Sequence, residues 1–145
     1  MIKVTVAGGF DPFHIGHLRH IQLAKKLGNY LIVILARDDQ LIKKKGYFFM
    51  PYAERKEILE NIIGVDRVVQ NIDSDITCNE SLEYYQPNIF AKGGDRTPGN
   101  MPEAEKLACE KIGCKLIYGI GENIKSSSEL VRNITNKARL IERRR

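Results

Sequence analysis

A doubly wound α/β fold on a five-stranded parallel sheet is what this sequence predicts, and three observations predict it. Short β-rich runs alternate with helical patterns five times along the 145 residues. The connections are too long for hairpins, so the strands run parallel with helices over both faces. Polar clusters follow the first, fourth and fifth runs, at the strand ends where such sheets bind ligands.

The predicted strands are Ile2–Ala7, Tyr30–Ala36, Arg67–Gln70, Asn88–Ala91 and Lys115–Tyr118. A first helix runs from Ile15 to Leu27, with Leu18, Ile21, Ala24 and Leu27 on its core face, and Gly28 ends it. A second opens at Pro51 and uses Ile58, Leu59, Ile62 and Ile63 before Gly64. A short third covers Ser81–Gln86. The fourth opens with an Asn100 cap and Glu103 in its first turn, and stops near Gly113. The last opens on Ser126 with Glu129 three residues on, a capping box, and ends in the basic Arg143, Arg144 and Arg145.

Composition bounds the function. The length suits one domain, taken as residues 1–145. No apolar run approaches the roughly 18 residues that span a bilayer, and no basic-then-apolar start marks a secretory signal. Cys78, Cys109 and Cys114 have neither an even count nor CxxC spacing, so reduced thiols in a cytoplasmic protein are expected, with no membrane partner. The net charge of +5 owes much to two triplets, Lys43–Lys45 and Arg143–Arg145. Aromatic residues do not interleave with them, so nucleic acid is not the expected partner. A local anion site is.

The most informative stretch is GGFDPFHIGH, Gly8 to His17. His14 and His17 lie three apart at a helix start, hence on one face. A helix N-terminus presents free N–H groups and a positive dipole end, which favour phosphate. Gly8, Gly9 and Gly16 leave the backbone open to a ligand. Two imidazoles on one side and amides on the other would seat a polyphosphate. His20 is read as a surface residue. There is no Walker-type GxxxxGKS or GxxxxGKT loop, Gly119 and Gly121 make no dinucleotide fingerprint, and no third ligand joins the histidines for a metal.

These residues resemble the cytidylyltransferase-like nucleotidyltransferases. GGFDPFHIGH is similar to that superfamily's GTFDxxHxGH, with Gly9 where Thr is common. KKKGYFFMPYAERKEIL resembles its lysine-bearing loop and following helix, FAKGGDR the KGGD segment of heptose-phosphate adenylyltransferases, and KSSSEL the serine–threonine stretch before the last helix. The resemblance implies transfer of CMP or AMP from CTP or ATP, with Mg²⁺, onto a phosphorylated alcohol or sugar phosphate, and release of pyrophosphate. Such an acceptor is already nucleophilic, so positioning and electrostatics carry the reaction. By resemblance His14, His17 and Lys45 are catalytic, Lys45 closing over the triphosphate from a mobile loop. Gly9, Phe10, Gly16, Gly94, Asp95, Ser126, Ser127 and Ser128 contact the nucleotide, the serines at its β- and γ-phosphates. Lys43, Lys44, Arg55, Lys92 and Arg96 face the acceptor. A homodimer is implied.

Several of these residues also have plainer readings. The lysines can be a solvated run, the serines a helix cap, Arg55 an ordinary helix arginine and Phe10 a core residue. A nucleotide-binding sensor without turnover is the alternative on the same fold. Ile63 stands where the glycerol-phosphate cytidylyltransferases carry arginine, and together with KGGDR this points to a sugar phosphate instead of glycerol 3-phosphate.

Overall fold

The computed structural model describes residues 1–94, 96–121 and 135–139. Its sheet has the strands β1 (Lys3–Gly8), β2 (Tyr30–Leu35), β3 (Arg67–Gln70), β4 (Ile89–Ala91) and β5 (Lys115–Ile117). All neighbouring pairs are parallel, in the order β3-β2-β1-β4-β5. Strand order therefore reverses between β1 and β4, which opens a crevice beyond their C-terminal ends.

Alternation within the strands sorts the core into two layers. Val4 and Val6 of β1 with Leu31, Val33 and Leu35 of β2 face helices α1 (Ile15–Lys25) and α3 (Tyr52–Glu60), through Ile21, Ala24 and Leu59. Ile32, Ile34, Val69 and Phe90 face the other way, onto α4 (Asn79–Tyr85) and α5 (Glu103–Ile112), through Leu82, Ala108 and Cys109. Both faces of the sheet are covered, so β2 reads as an unbroken apolar run. Thr5, the polar residue in β1, is fully buried and donates its hydroxyl to the Ile32 carbonyl at 2.9 Å.

One helix has no counterpart in the sequence-based elements. Residues Asp38–Lys45 form α2, so Lys43, Lys44 and Lys45 sit in a helical last turn and not in a loop. Two acidic residues start it, three lysines end it, and Gly46 stops it with a left-handed φ of 87°. Gln40 completes its start by accepting from the Arg37 backbone N–H at 2.9 Å. A second correction concerns α5. Its cap is Pro102, while the Asn100 side chain accepts instead from the Thr97 backbone N–H. The last predicted helix lies outside the described residues, except for a helical turn at 135–139.

Candidate active site

The start of α1 is held by its own histidines. His14 is the N-cap, and its Nδ1 accepts from the Gly16 N–H at 3.1 Å. His17 reaches back, its Nδ1 accepting from the His14 N–H at 3.2 Å. This is a capping box with imidazole in place of hydroxyl and carboxylate. A ring nitrogen that accepts carries no proton, so a neutral ring here carries its proton on Nε2. The two rings stack with centroids 3.8 Å apart, and Phe10 and Phe13 close on His17 at 5.0 and 5.6 Å. Burial first, and then the nearby imidazoles of His14 and His20 and the Lys45 ammonium, pull the His17 pKa from 6.5 down to about 3. His17 is therefore a neutral N–H donor at neutral pH.

The loop between β1 and α1 is fixed from beneath. The buried Asp11 carboxylate accepts from the Phe49 and Met50 N–H groups, each at 2.6 Å, and lies 3.3 Å from Lys45 Nζ. Lys45 also donates to the Asp11 carbonyl at 2.8 Å. One aspartate thus ties the strand loop, the end of α2 and the approach to α3 into a unit that sets Lys45 beside His17. Asp11 carried no functional reading in the sequence, because a DP pair inside a glycine-rich stretch reads as turn chemistry.

Beyond β1, β2 and β4, on the α4–α5 side of the sheet, a crevice of about 100 Å³ opens. Gly8 and Gly9 form one edge, and the cations Lys44, Lys92 and Arg96 reach it from α2 and from the segment after β4. Glu105 of α5 stands in the same wall. The lysine triplet is divided: Lys43 donates to the Ser74 carbonyl, Lys44 lines the crevice and Lys45 holds Asp11. The structure thus brings His14, His17 and Lys45 together, and gathers Lys44, Lys92, Arg96 and Gly9 next to them.

Other predicted site residues have different positions. Arg55 is 1% exposed, with its guanidinium donating to the carbonyls of Met50, Gly9 and Ala36 and to Asp38 at 2.7–2.9 Å. That engages four of its five N–H groups in clamping the ends of β1 and β2. Phe10 is 5% exposed, in the core and edge-on to His17. Gly9 is small for a second reason, since a Cβ there would meet Leu41 Cδ2 at 2.6 Å. A glycine at this position lets α2 approach the loop.

His20 is not a surface residue. It is half-buried, and its Nδ1 lies 2.5 Å from the Ile120 carbonyl, a bond in which the ring nitrogen must donate. Gly16 uses its N–H on His14, and Gly94 is exposed in the turn after β4. Ile63 is 96% exposed, past the C-terminal end of α3 and before β3 begins, whereas the crevice lies beyond the C-terminal strand ends. Asp95, Ser126, Ser127 and Ser128 lie outside the described residues.

Comparison with known proteins agrees with this geometry. The cytidylyltransferase-like family model matches residues 5–134. An FAD synthase of Pyrococcus abyssi is 35% identical over 140 residues, which is 92% of this chain and 93% of that protein. A glycerol-3-phosphate cytidylyltransferase of Bacillus subtilis is 41% identical over 95 residues, 66% of this chain and 73% of that one. The crystal structure of a lipopolysaccharide core biosynthesis protein from Thermoplasma volcanium superimposes with a TM-score of 0.72 at 26% identity, over 84% of this chain and 98% of that one. Matched in sequence over most of its length and in fold across the sheet, the chain belongs to the cytidylyltransferase-like family and is a nucleotidyltransferase.

Proposed function

We propose that the chain transfers the adenylyl group of ATP onto a small, hydroxylated phosphomonoester and releases pyrophosphate. An acceptor phosphate oxygen attacks the α-phosphorus, the bond to the bridging oxygen breaks, and a phosphoanhydride forms as pyrophosphate departs. The His14 and His17 Nε2–H groups and Lys45 donate to oxygens that gain charge in the transition state. Because these donors are already locked, no reorganisation is needed as that charge develops. Lys44, Lys92 and Arg96 hold the acceptor phosphate. Ser126–Ser128 are assigned the β- and γ-phosphates, and Gly94 and Asp95 the nucleoside, on the sequence resemblance.

Mg²⁺ enters as part of the nucleotide substrate. Among the described residues no group of three or more His, Cys, Asp or Glu side chains gathers to hold a metal, and Asp11 and Asp38 are engaged by protein donors. On the sequence resemblance the ion is assigned to the phosphates of the nucleotide and to water. The adenylyl reading draws support from the FAD synthases that match nearly the whole chain, FAD being an adenylyl-containing product. Cytidylyl transfer is the second reading, favoured by the 41% identity to a glycerol-3-phosphate cytidylyltransferase. The remaining features of the reading are one domain over residues 1–145, a homodimer, a cytoplasmic setting and no nucleic-acid partner.

The single observation that carries the acceptor class is the crevice itself. Three cations on one wall suit an acceptor held by its phosphate, and a carboxylate beside them suits one that also carries hydroxyls. Pyrophosphate release from ATP and from CTP, measured with glycerol 3-phosphate, choline phosphate, sugar 1- and 5-phosphates and FMN, tests it. Release with ATP and a small polyol or sugar phosphate is expected. Tight nucleotide binding with no pyrophosphate from any pair would make the chain a sensor. Preference for FMN would overturn the small-acceptor assignment.

A further inference from the structure

Glu105 occupies the third position of α5, where a glutamate normally folds back to the backbone N–H of its own helix cap. Here the cap is Pro102, which has no N–H to offer. The carboxylate turns inward instead. It is 5% exposed, and its Oε2 accepts from the Cys78 N–H at 3.3 Å, at the start of α4. Its Oε1 is buried and ion-paired with Lys92 Nζ at 3.8 Å, but accepts no hydrogen bond from any described residue. Lys92 is meanwhile held over the Phe90 ring at 4.4 Å.

A buried carboxylate oxygen without a donor is costly to the fold, and native proteins rarely leave one. This one stands in the wall of a crevice whose other charges are all positive. Three cations account for the phosphate of an acceptor. A carboxylate among them weakens phosphate binding, so its presence has to be explained by something else the acceptor carries. A hydroxyl or N–H would satisfy Oε1, whereas an ether, an alkyl chain or a quaternary ammonium would leave it bare.

Building on the nucleotidyl-transfer reading above, we propose that Glu105 is a specificity-determining residue that accepts a hydrogen bond from a hydroxyl on the body of the acceptor. The substrate class is then a polyol or sugar phosphate, selected by its hydroxyl as well as its phosphate. Deoxy analogues are rejected because they bury Oε1 without a donor. A site built to bond a substrate hydroxyl discriminates more strongly than one that only fills space.

The test uses the whole chain and two matched acceptor pairs, glycerol 3-phosphate against propyl phosphate and erythritol 4-phosphate against butyl phosphate. Wild-type kcat/KM should favour the hydroxylated member of at least one pair by about 10- to 100-fold, the range of a hydrogen bond to a buried charge. Glu105→Gln keeps the shape and an acceptor for the Cys78 N–H. It should shrink the kcat/KM ratio of the hydroxylated to the alkyl acceptor about 10-fold or more, with the loss on the hydroxylated acceptor mainly in KM. Equal losses on both acceptors would mean that Glu105 only braces α4 against α5, and would overturn the inference. If Glu105→Gln does not fold, the wild-type ratios decide alone, and ratios near one in both pairs overturn it. No pyrophosphate from any acceptor with bound nucleotide would instead overturn the transfer reading beneath it.

Discussion

The start of α1 and the crevice beyond β4 lie side by side but solve opposite problems. At the α1 start the backbone N–H groups of His14 and Gly16 find their acceptors inside a four-residue stretch: His14 caps Gly16, and His17 caps His14. The crevice is assembled from α2, the segment after β4 and α5, and it keeps a buried carboxylate oxygen unsatisfied. The first region is pre-organised for one reaction. The second is left open for whatever it must recognise. Chemistry in such an enzyme can be fixed locally, while acceptor choice is distributed over distant segments.

The largest expected effect lies on the fixed side. His17→Ala should lower kcat by roughly 10²- to 10³-fold, the usual loss for one transition-state donor. It should also lower stability, because the ring packs against Phe10 and Phe13 and caps α1. His17→Gln separates the two effects, since glutamine at this position can retain the cap. Its urea midpoint should stay close to wild type, within the ~1 kcal/mol a cap contributes, while its turnover falls like that of the alanine variant. Turnover near wild type in His17→Gln would remove the imidazole from the chemistry.

Asp11→Asn probes the frame beneath that side. Two backbone N–H groups and Lys45 converge on the carboxylate, so the variant should lose about 2–3 kcal/mol of stability by denaturant unfolding, the scale of hydrogen bonds to a buried charge. Turnover should fall with it as Lys45 loses its anchor. A stable Asp11→Asn protein would show that the loop is held elsewhere.

Acidification offers a finer comparison. With its pKa near 3 in the folded chain and 6.5 as the ordinary value, His17 takes up a proton on unfolding anywhere between those limits. Its contribution to stability is complete above pH 6.5 and is lost as pH falls toward 3, at up to about 1.4 kcal/mol per pH unit. The same group gives no break in kcat/KM near 6.5. From pH 7 to 4 wild type should lose unfolding free energy faster than His17→Gln, so that the variant becomes the more stable of the two, and parallel curves would contradict the buried neutral ring.

The smallest effect is expected at Ile63. Because residue 63 is exposed at the opposite end of the strands, Ile63→Arg should change acceptor preference by less than about 2-fold, as surface changes away from a site usually do. A switch toward glycerol 3-phosphate would show that this end does reach an acceptor, through contacts the single chain does not make.

Legibility in the sequence follows the same division. The strands, the parallel order and the histidine pair were readable because each rests on local periodicity or on residues three apart. Helix α2 was missed although Asp38, Asp39 and Gln40 open it, the lysines end it and Gly46 stops it. The charge of the lysine triplet overshadowed its dipole-matching position. The burial of Arg55 was not legible because it depends on carbonyls at the ends of β1 and β2 and in the segment before α3, which no spacing shows. Glu105 was invisible for a similar reason. Its significance comes from a proline cap and a lysine just after β4 that meet only in the fold.

The claim on which the rest depends is that His14 and His17 face the triphosphate as neutral rings with the proton on Nε2. Nitrogen-15 spectra of histidine-labelled protein at pH 6, with and without a non-hydrolysable ATP analogue, read the tautomers directly. The account predicts unprotonated Nδ1 and protonated Nε2 on both rings before nucleotide is added, with the Nε2 signals shifting when it binds. A proton on Nδ1 of either ring, or Nε2 signals indifferent to saturating nucleotide, would contradict it.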